Sequence, residues 1–192
     1  MARSHMRIGI VHGRFQPIHK GHLDGYIKPA WQQCGQLIVG ITNPDPTHTL
    51  PDPVNVSRTA AQNNPLTFYE RLSLVQTALS GIGIDSADFR IVPFPINFPQ
   101  LLRYYLPDGA THFLTIFDEW GRRKRAFLEQ HGHKVHVLEE SDINKKKISS
   151  TEVRNRILKG QRWQELVPEP CHHLLSSMDI KDRIQRQREI GR

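Results

Sequence analysis

Cysteine is scarce in this chain of 192 residues: Cys34 and Cys171 are the only two, and they stand far apart without a Cys-x-x-Cys spacing. That excludes a disulfide framework and points to a reducing compartment. Long hydrophobic runs are missing too, since no stretch approaches the ~20 apolar residues that cross a bilayer. With no secretory leader visible either, the expected location is the cytoplasm, with no membrane partner. Carboxylates do not cluster, and His131-Gly132-His133 and Cys171-His172-His173 lack the ligand spacing of a structural zinc site. Both read as surface histidines, and no protein-held metal is expected. Acidic residues are outnumbered, 19 Asp and Glu against 26 Lys and Arg, for a formal net charge of +7. The excess favours anionic partners such as nucleotides but is too diffuse for a nucleic-acid groove, so no nucleic-acid partner is expected. Arg122-Arg123-Lys124-Arg125 reads as the solvated face of a helix.

What is present is an alternation. Short apolar, often β-branched runs at 7–12, 36–42, 89–93, 112–117 and 134–138 are separated by helical patterns at 21–34, 66–79, 99–106, 118–130 and 150–158. The expected fold is therefore α/β: a doubly wound, Rossmann-like parallel sheet of about five strands with helices on both faces and a C-terminal helical segment. A ligand should sit at the carboxyl ends of the strands, at the topological switch point. Thr67 with Glu70, and Ser149 with Glu152, have capping-box spacing, while Gly81, Gly132 and Gly160 stand where helices should stop. One domain is expected over 6–192, with 1–5 an expression-tag remnant and Met6 the natural start. Residues 43–64 form a long, proline-containing loop, read as a lid beside the acceptor pocket or, alternatively, as a surface ornament. The tail, 169–192, reads as one or two helices, frayed from Lys181 to Arg188.

Two motifs carry chemistry. Gly13-Arg14-Phe15-Gln16-Pro17-Ile18-His19-Lys20-Gly21-His22 follows the first strand, and Ile148-Ser149-Ser150-Thr151-Glu152-Val153-Arg154 opens a later helix. A strand running through a glycine-containing turn into a helix aims backbone N–H groups at an anion above the helix N-terminus. His19 and His22, three apart, share a face of the first turn. Serine, threonine and arginine at the second helix start add further donors. Taken singly, these could be surface histidines and a capping box; in this order they build a triphosphate site.

These motifs resemble those of the HxGH nucleotidyltransferase superfamily, most closely the archaeal-type nicotinamide-mononucleotide adenylyltransferases. Pro65-Leu66-Thr67 with Glu70-Arg71, and Trp163 with Leu166-Val167-Pro168, extend the resemblance over almost the whole chain. It implies transfer of a nucleoside monophosphate from a triphosphate to an acceptor with loss of pyrophosphate, supported by Mg²⁺ carried on the triphosphate. It assigns His19, His22 and Arg154 to catalysis. Gly13, Arg14, Phe15, Gly21, Ser149, Ser150, Thr151 and Arg154 are assigned to the nucleotide.

The acceptor half departs from the family. Relatives that make NAD carry an arginine where this chain has Asn63, and a tryptophan in the stretch that reads Asn97-Phe98-Pro99-Gln100-Leu101-Leu102 here. Their Ser-Gly-Asn-Pro is replaced by Thr115-Ile116-Phe117-Asp118-Glu119-Trp120. Candidate acceptor residues are Arg58, Asn97, Phe98, Asp118 and Trp120. The expected partners are a nucleoside triphosphate, CTP or ATP, and a small phosphorylated or phosphonate acceptor, as in a CTP-dependent phosphonate cytidylyltransferase. The alternative is formation of NAD from ATP and nicotinamide mononucleotide (NMN). A tRNA-synthetase-like protein, hinted at by Lys145-Lys146-Lys147-Ile148-Ser149-Ser150, and a non-catalytic nucleotide sensor rank below both. Whether the chain forms a homo-oligomer is left open.

Overall fold

Each apolar run forms a strand, and the five pair in parallel in the order β3-β2-β1-β4-β5. In this computed structural model, which describes residues 8–50, 59–142 and 148–190, the strands are β1 (Ile8–Gly13), β2 (Gln36–Thr42), β3 (Phe89–Phe94), β4 (Thr111–Ile116) and β5 (Lys134–Glu140). A helical rod follows β1, built of α1 (Lys20–His22), a π-helical turn (Leu23–Ile27) and α2 (Lys28–Trp31). The longer helices are α3 (Phe68–Gly81), α4 (Glu119–Gln130), α5 (Ser150–Leu158) and α7 (Ile180–Ile190), with a short α6 (His172–Ser176) before the last. Side chains alternate across each strand, so the sheet has a core on either face. Val11, Val39 and Phe113 pack with Leu74, Val75 and Val153 on one side, whereas Ile10, Ile38 and Leu114 pack with Leu102 and Leu128 on the other. This is the doubly wound arrangement expected.

Strand order reverses between β1 and β4. Only Gly9–Thr111 and Ile10–His112 pair there, after which the two strands part. Tyr26 bridges the parting: its hydroxyl accepts from the His12 N–H (3.0 Å) and donates to the Phe113 carbonyl (2.7 Å). The π turn delivers it. Pro29 has no N–H for the carbonyl four residues back, and the Lys28 N–H instead bonds Leu23, five back, which widens the helix. The helix expected over 21–34 therefore begins one residue earlier, bulges and ends at Trp31.

Other elements also differ from expectation. The segment expected as a helix at 99–106 is a 3-10 helix, Pro99–Tyr104. Gly132 and Gly160 follow α4 and α5 at positive φ, and α3 stops at Gly81 as expected, although the left-handed residue after it is Gly83. At Gly81 a Cβ would lie 2.5 Å from the Pro170 ring, so packing explains that glycine. The tail is docked: Ile180 and Ile184, one turn apart, are buried, and Arg183 grips both oxygens of Glu70 at 2.8 Å. Its Lys/Arg-rich composition hid that two-residue apolar stripe. Residues 1–7, which include the expected tag, and 51–58 of the long loop lie outside the described residues.

His112 of β4 is fully buried, and neither ring nitrogen has a hydrogen-bond partner among the described residues. Burial, helped by His133 and Lys124, pushes its pKa down from 6.5 to about 3. The folded state thus keeps the ring neutral, while the unfolded chain takes up a proton near pH 6.5. Its contribution is complete above that pH and is lost progressively as the pH falls towards 3. Urea titrations should show His112→Phe removing about 2 kcal/mol of the stability change between pH 6.5 and 5. Parallel pH profiles for the two proteins would place the effect elsewhere.

Candidate active site

The loop between β1 and α1 is fixed through its carbonyl oxygens. Arg71, buried in α3, donates from Nη1 to the carbonyls of Arg14 (3.1 Å) and Thr42 (2.8 Å), from Nη2 to Asn43 (2.8 Å) and from Nε to Thr67 (3.2 Å). Arg154, buried in α5, donates from Nη1 to the Gln16 carbonyl (2.7 Å) and from Nη2 to Asn63 Oδ1 (2.8 Å) and Thr151 Oγ1 (3.3 Å). Burial lowers both guanidinium pKa values to about 10, which leaves them charged at neutral pH. The Gln16 side chain pairs in both directions with the Leu66 backbone (3.0 and 2.9 Å). Phe15 takes φ +50, an uncommon conformation for a bulky residue, and its buried ring meets His22 edge-on at 5.0 Å.

The two histidines form a capping box with each other. His19 Nδ1 accepts the His22 N–H and His22 Nδ1 accepts the His19 N–H, both at 3.3 Å, with the rings stacked 3.7 Å apart. An Nδ1 that accepts leaves the proton of a neutral imidazole on Nε2, so each ring presents an Nε2–H donor. Gly21 has a steric reason: a Cβ there would stand 3.1 Å from His19 Nδ1 and 3.4 Å from the Ile148 Cβ.

The second motif abuts the first. Ser149 caps α5 by accepting the Glu152 N–H (3.2 Å), and the Ser150 hydroxyl donates to the Pro17 carbonyl (2.9 Å). The expected phosphate hydroxyls of Ser150 and Thr151 thus also serve as links within the protein.

These elements enclose a cleft of about 560 Å³ at the carboxyl ends of β1 and β4. His19, His22, Gly13, Arg14, Phe15 and Gly21 line it from the first motif, Ser149, Ser150 and Thr151 from the second, and Asp118 and Trp120 from the start of α4. Arg154 stands behind this wall. Asp118 Oδ1 is occupied as the cap of α4, accepting the Gly121 N–H (2.8 Å). Asn97 and Phe98 do not line the cleft: Asn97 Nδ2 donates to the His48 carbonyl (2.9 Å), and Phe98 meets the His48 ring edge-on at 5.4 Å. Both hold the 46–50 segment in place instead. Arg58 lies outside the described residues.

Lys124 and His12 are among the lining residues that sequence reasoning did not single out. Arg122, Arg123 and Arg125 are solvated and pair with Glu119, Glu140 and Glu129, but Lys124 turns into the cleft with Nζ 4.8 Å from the Trp120 ring centroid. The signal was there: Trp120 and Lys124 are i and i+4 on a helix that starts just past β4. His12 was hidden within an ordinary strand; it stacks on Phe94 at 4.3 Å, and Gly40 makes room, since a Cβ there would lie 2.5 Å from that ring.

Residues 10–156 match the model of the cytidylyltransferase-like family. The chain belongs to this family. It is 39% identical over 178 residues to the phosphonoformate cytidylyltransferase of Streptomyces viridochromogenes, spanning 92% of this chain and 95% of that protein. To the nicotinamide-nucleotide adenylyltransferase of Saccharolobus solfataricus it is 31% identical over 186 residues, or 96% and 97% of the two chains. The fold is shared with a solved bifunctional NMN adenylyltransferase/ADP ribose pyrophosphatase from Francisella tularensis, with a TM-score of 0.68 at 19% identity across 96% of this chain; this chain spans about half, 54%, of that one. The cytidylyltransferase-like protein is thus a nucleotidyltransferase. No helix among its described residues is long and apolar enough to cross a membrane.

Arg71→Met keeps most of the side-chain volume but strands the carbonyls of Arg14, Thr42 and Asn43. We expect a stability loss of about 2–4 kcal/mol, with nucleotide binding weakened at temperatures where the variant is fully folded. Unchanged calorimetric affinity in that folded range would show that the loop does not need this anchor.

Proposed function

We propose that this nucleotidyltransferase joins the CMP of CTP to a small acceptor carrying a phosphonate or phosphate and a second anionic group. The observation that carries this reading is the Lys124–Trp120 pair in the same cleft as the two histidines. The ammonium covers one face of the indole, which leaves that face closed to a nicotinamide ring and offers a charge to a compact dianion. Asn63, where NAD-forming relatives have arginine, has its Oδ1 committed to Arg154. The choice of CTP rests on the similarity to the Streptomyces phosphonoformate cytidylyltransferase.

An acceptor oxygen, already ionised at neutral pH, attacks the α-phosphorus. The bond from that phosphorus to the bridging oxygen breaks, and its electron pair leaves on pyrophosphate. No proton need move, so the protein acts by alignment and by stabilising charge. The Nε2–H groups of His19 and His22 donate to the α- and β-phosphate oxygens. Arg14, at the cleft wall, and the N-terminus of α5 face the outgoing pyrophosphate. Arg154 acts by holding the loop that presents these groups. Among the described residues no group of three or more His, Cys, Asp or Glu could hold a metal ion. Magnesium arrives on this reading as part of the nucleotide substrate, ligated by phosphates and water.

A matrix of ATP, CTP, GTP and UTP against phosphonoformate, phosphonoacetate, NMN and nicotinate mononucleotide, read by pyrophosphate release, tests the assignment. Turnover should be confined to CTP with a phosphonate; efficient NAD formation from ATP and NMN would replace this reading with the adenylyltransferase one. His19→Ala and His22→Ala should each lower kcat by about 10²–10³, a far larger effect than the melting-temperature loss of about 2–4 °C expected from the missing cap. For Lys124→Ala the expected outcome is an acceptor KM raised about tenfold at an unchanged KM for CTP. A shift in the CTP value instead would move Lys124 to the nucleotide side.

A further inference from the structure

The ladder between β4 and β5 contains a bulge. Leu114 pairs with Val137 but Thr115 pairs with Glu139, so Leu138 is an extra residue between the two pairs. A bulge re-aims the side chains that follow it. In an unbroken ladder Glu139 would stand beside Ile116, on the sheet face of Leu114 and Leu128. After the bulge it shares the face of Thr115, and Glu140 turns towards α4 instead, where it meets Arg122 at 3.6 Å. Thr115 and Glu139 both line the catalytic cleft, together with Phe117.

Three carboxylates line that cleft, and they differ in what they already hold. Asp24 pairs with Lys28 at 2.6 Å, and Asp118 caps α4. Glu139 is exposed; its Oε1 accepts the Ser141 hydroxyl (2.9 Å), and its other oxygen has no partner among the described residues. Ser141 is itself anchored, its N–H donating to the Ile116 carbonyl (3.0 Å). A carboxylate aimed into a cleft that receives anions repels phosphates and an anionic acceptor alike. The uncharged part of the two substrates is the nucleoside, whose donors are the ribose hydroxyls and, in cytosine and adenine, an exocyclic amine. The neighbours of Glu139 favour the base. Phe117 adds an aromatic surface on which a planar ring rests, and the Thr115 hydroxyl adds a group that gives or takes a hydrogen bond at a ring edge.

We infer that Glu139 selects the nucleotide by its base, accepting a hydrogen bond from the exocyclic amine of cytosine or adenine and rejecting bases with a carbonyl oxygen at that position. An ionised carboxylate has no proton to give, so a carbonyl oxygen opposite it gains no donor and is repelled. The same residue type reads the cytosine amine in nucleic-acid grooves. The inference rests on the placement of the phosphates at His19, His22 and the start of α5 proposed above. It does not rest on the choice of CTP, because ATP carries the amine as well.

The test is calorimetric titration of the intact chain with nucleotide and Mg²⁺, which needs no acceptor. CTP is compared with UTP, and ATP with ITP, since each pair exchanges the amine for a carbonyl. The tighter of CTP and ATP should bind about tenfold or more above its counterpart. Glu139→Gln can turn either an oxygen or an NH₂ to the ligand, so that ratio should fall to about one. Glu140→Gln, on the other face, should leave it unchanged. A ratio that Glu139→Gln does not move, or that Glu140→Gln moves equally, would overturn the inference. So would a change confined to the ratio of CTP to 2′-deoxy-CTP, which would put the carboxylate on the ribose. Should ATP bind more tightly than CTP, the choice of CTP falls while the ATP–ITP ratio still decides the role of Glu139. Binding of none of the four would overturn the phosphate placement itself, and this inference with it.

Discussion

Two buried guanidinium groups hold the loop after β1 by its carbonyl oxygens, and most of the catalytic geometry follows from that. Arg71 and Arg154 draw the carbonyls of Arg14 and Gln16 into the protein. A guanidinium suits this role because its planar fork satisfies several oxygens from one rigid centre, which an ammonium cannot do. Both arginines come from helices distant in sequence. Arg71 also takes the Thr42 and Asn43 carbonyls, so the exits of β1 and β2 are tied to one side chain. Arg154 ties the first motif to the second. The loop can then hold Phe15 in a left-handed conformation and stack the histidine pair above it, because neighbouring contacts outweigh the local strain.

The cleft is assembled in two different ways. Around the loop after β1, backbone groups and mutually capped histidines form the surface, and their positions are set by the strand–loop–helix path. On the opposite wall, the surface is made by side chains from separate elements: His12 at the end of β1, and Trp120 and Lys124 on the first turns of α4. Tyr26 joins the halves, since its hydroxyl spans the backbones of β1 and β4 where the sheet opens. The π turn is what lets a helix residue reach that gap.

The fold was largely legible because a period of two and a period near four are strong signals over whole elements. The five strands and the principal helices stand close to where the pattern put them. What escaped depended on single contacts. No periodicity tells that Pro29 widens a helix, or that Ile180 and Ile184 dock an otherwise charged tail. Within the site, the two motifs were readable as motifs, but their division of labour was not. Arg154 shows no sequence difference between touching a phosphate and holding a carbonyl, and the structure has it on Gln16 and Asn63. Lys124 vanished among three arginines, since composition is blind to which way one residue of a basic run points. Asn97 and Phe98 were chosen by position in a related pattern, yet the chain uses them to pin the segment around His48.

The placement of Trp120 and Lys124 on one helical face has an evolutionary consequence. They lie past the helix cap, do not belong to the loop after β1, and take no part in the hydrogen bonds made by Arg71 or Arg154. On the reading proposed above, substitutions at these two positions alter which acceptor is received without passing through an intermediate that has lost the nucleotide site. An ancestral enzyme of this family could exchange one acceptor for another in a few genetic steps while remaining folded and active throughout. Selection can act on one wall of the cleft while the other stays constant.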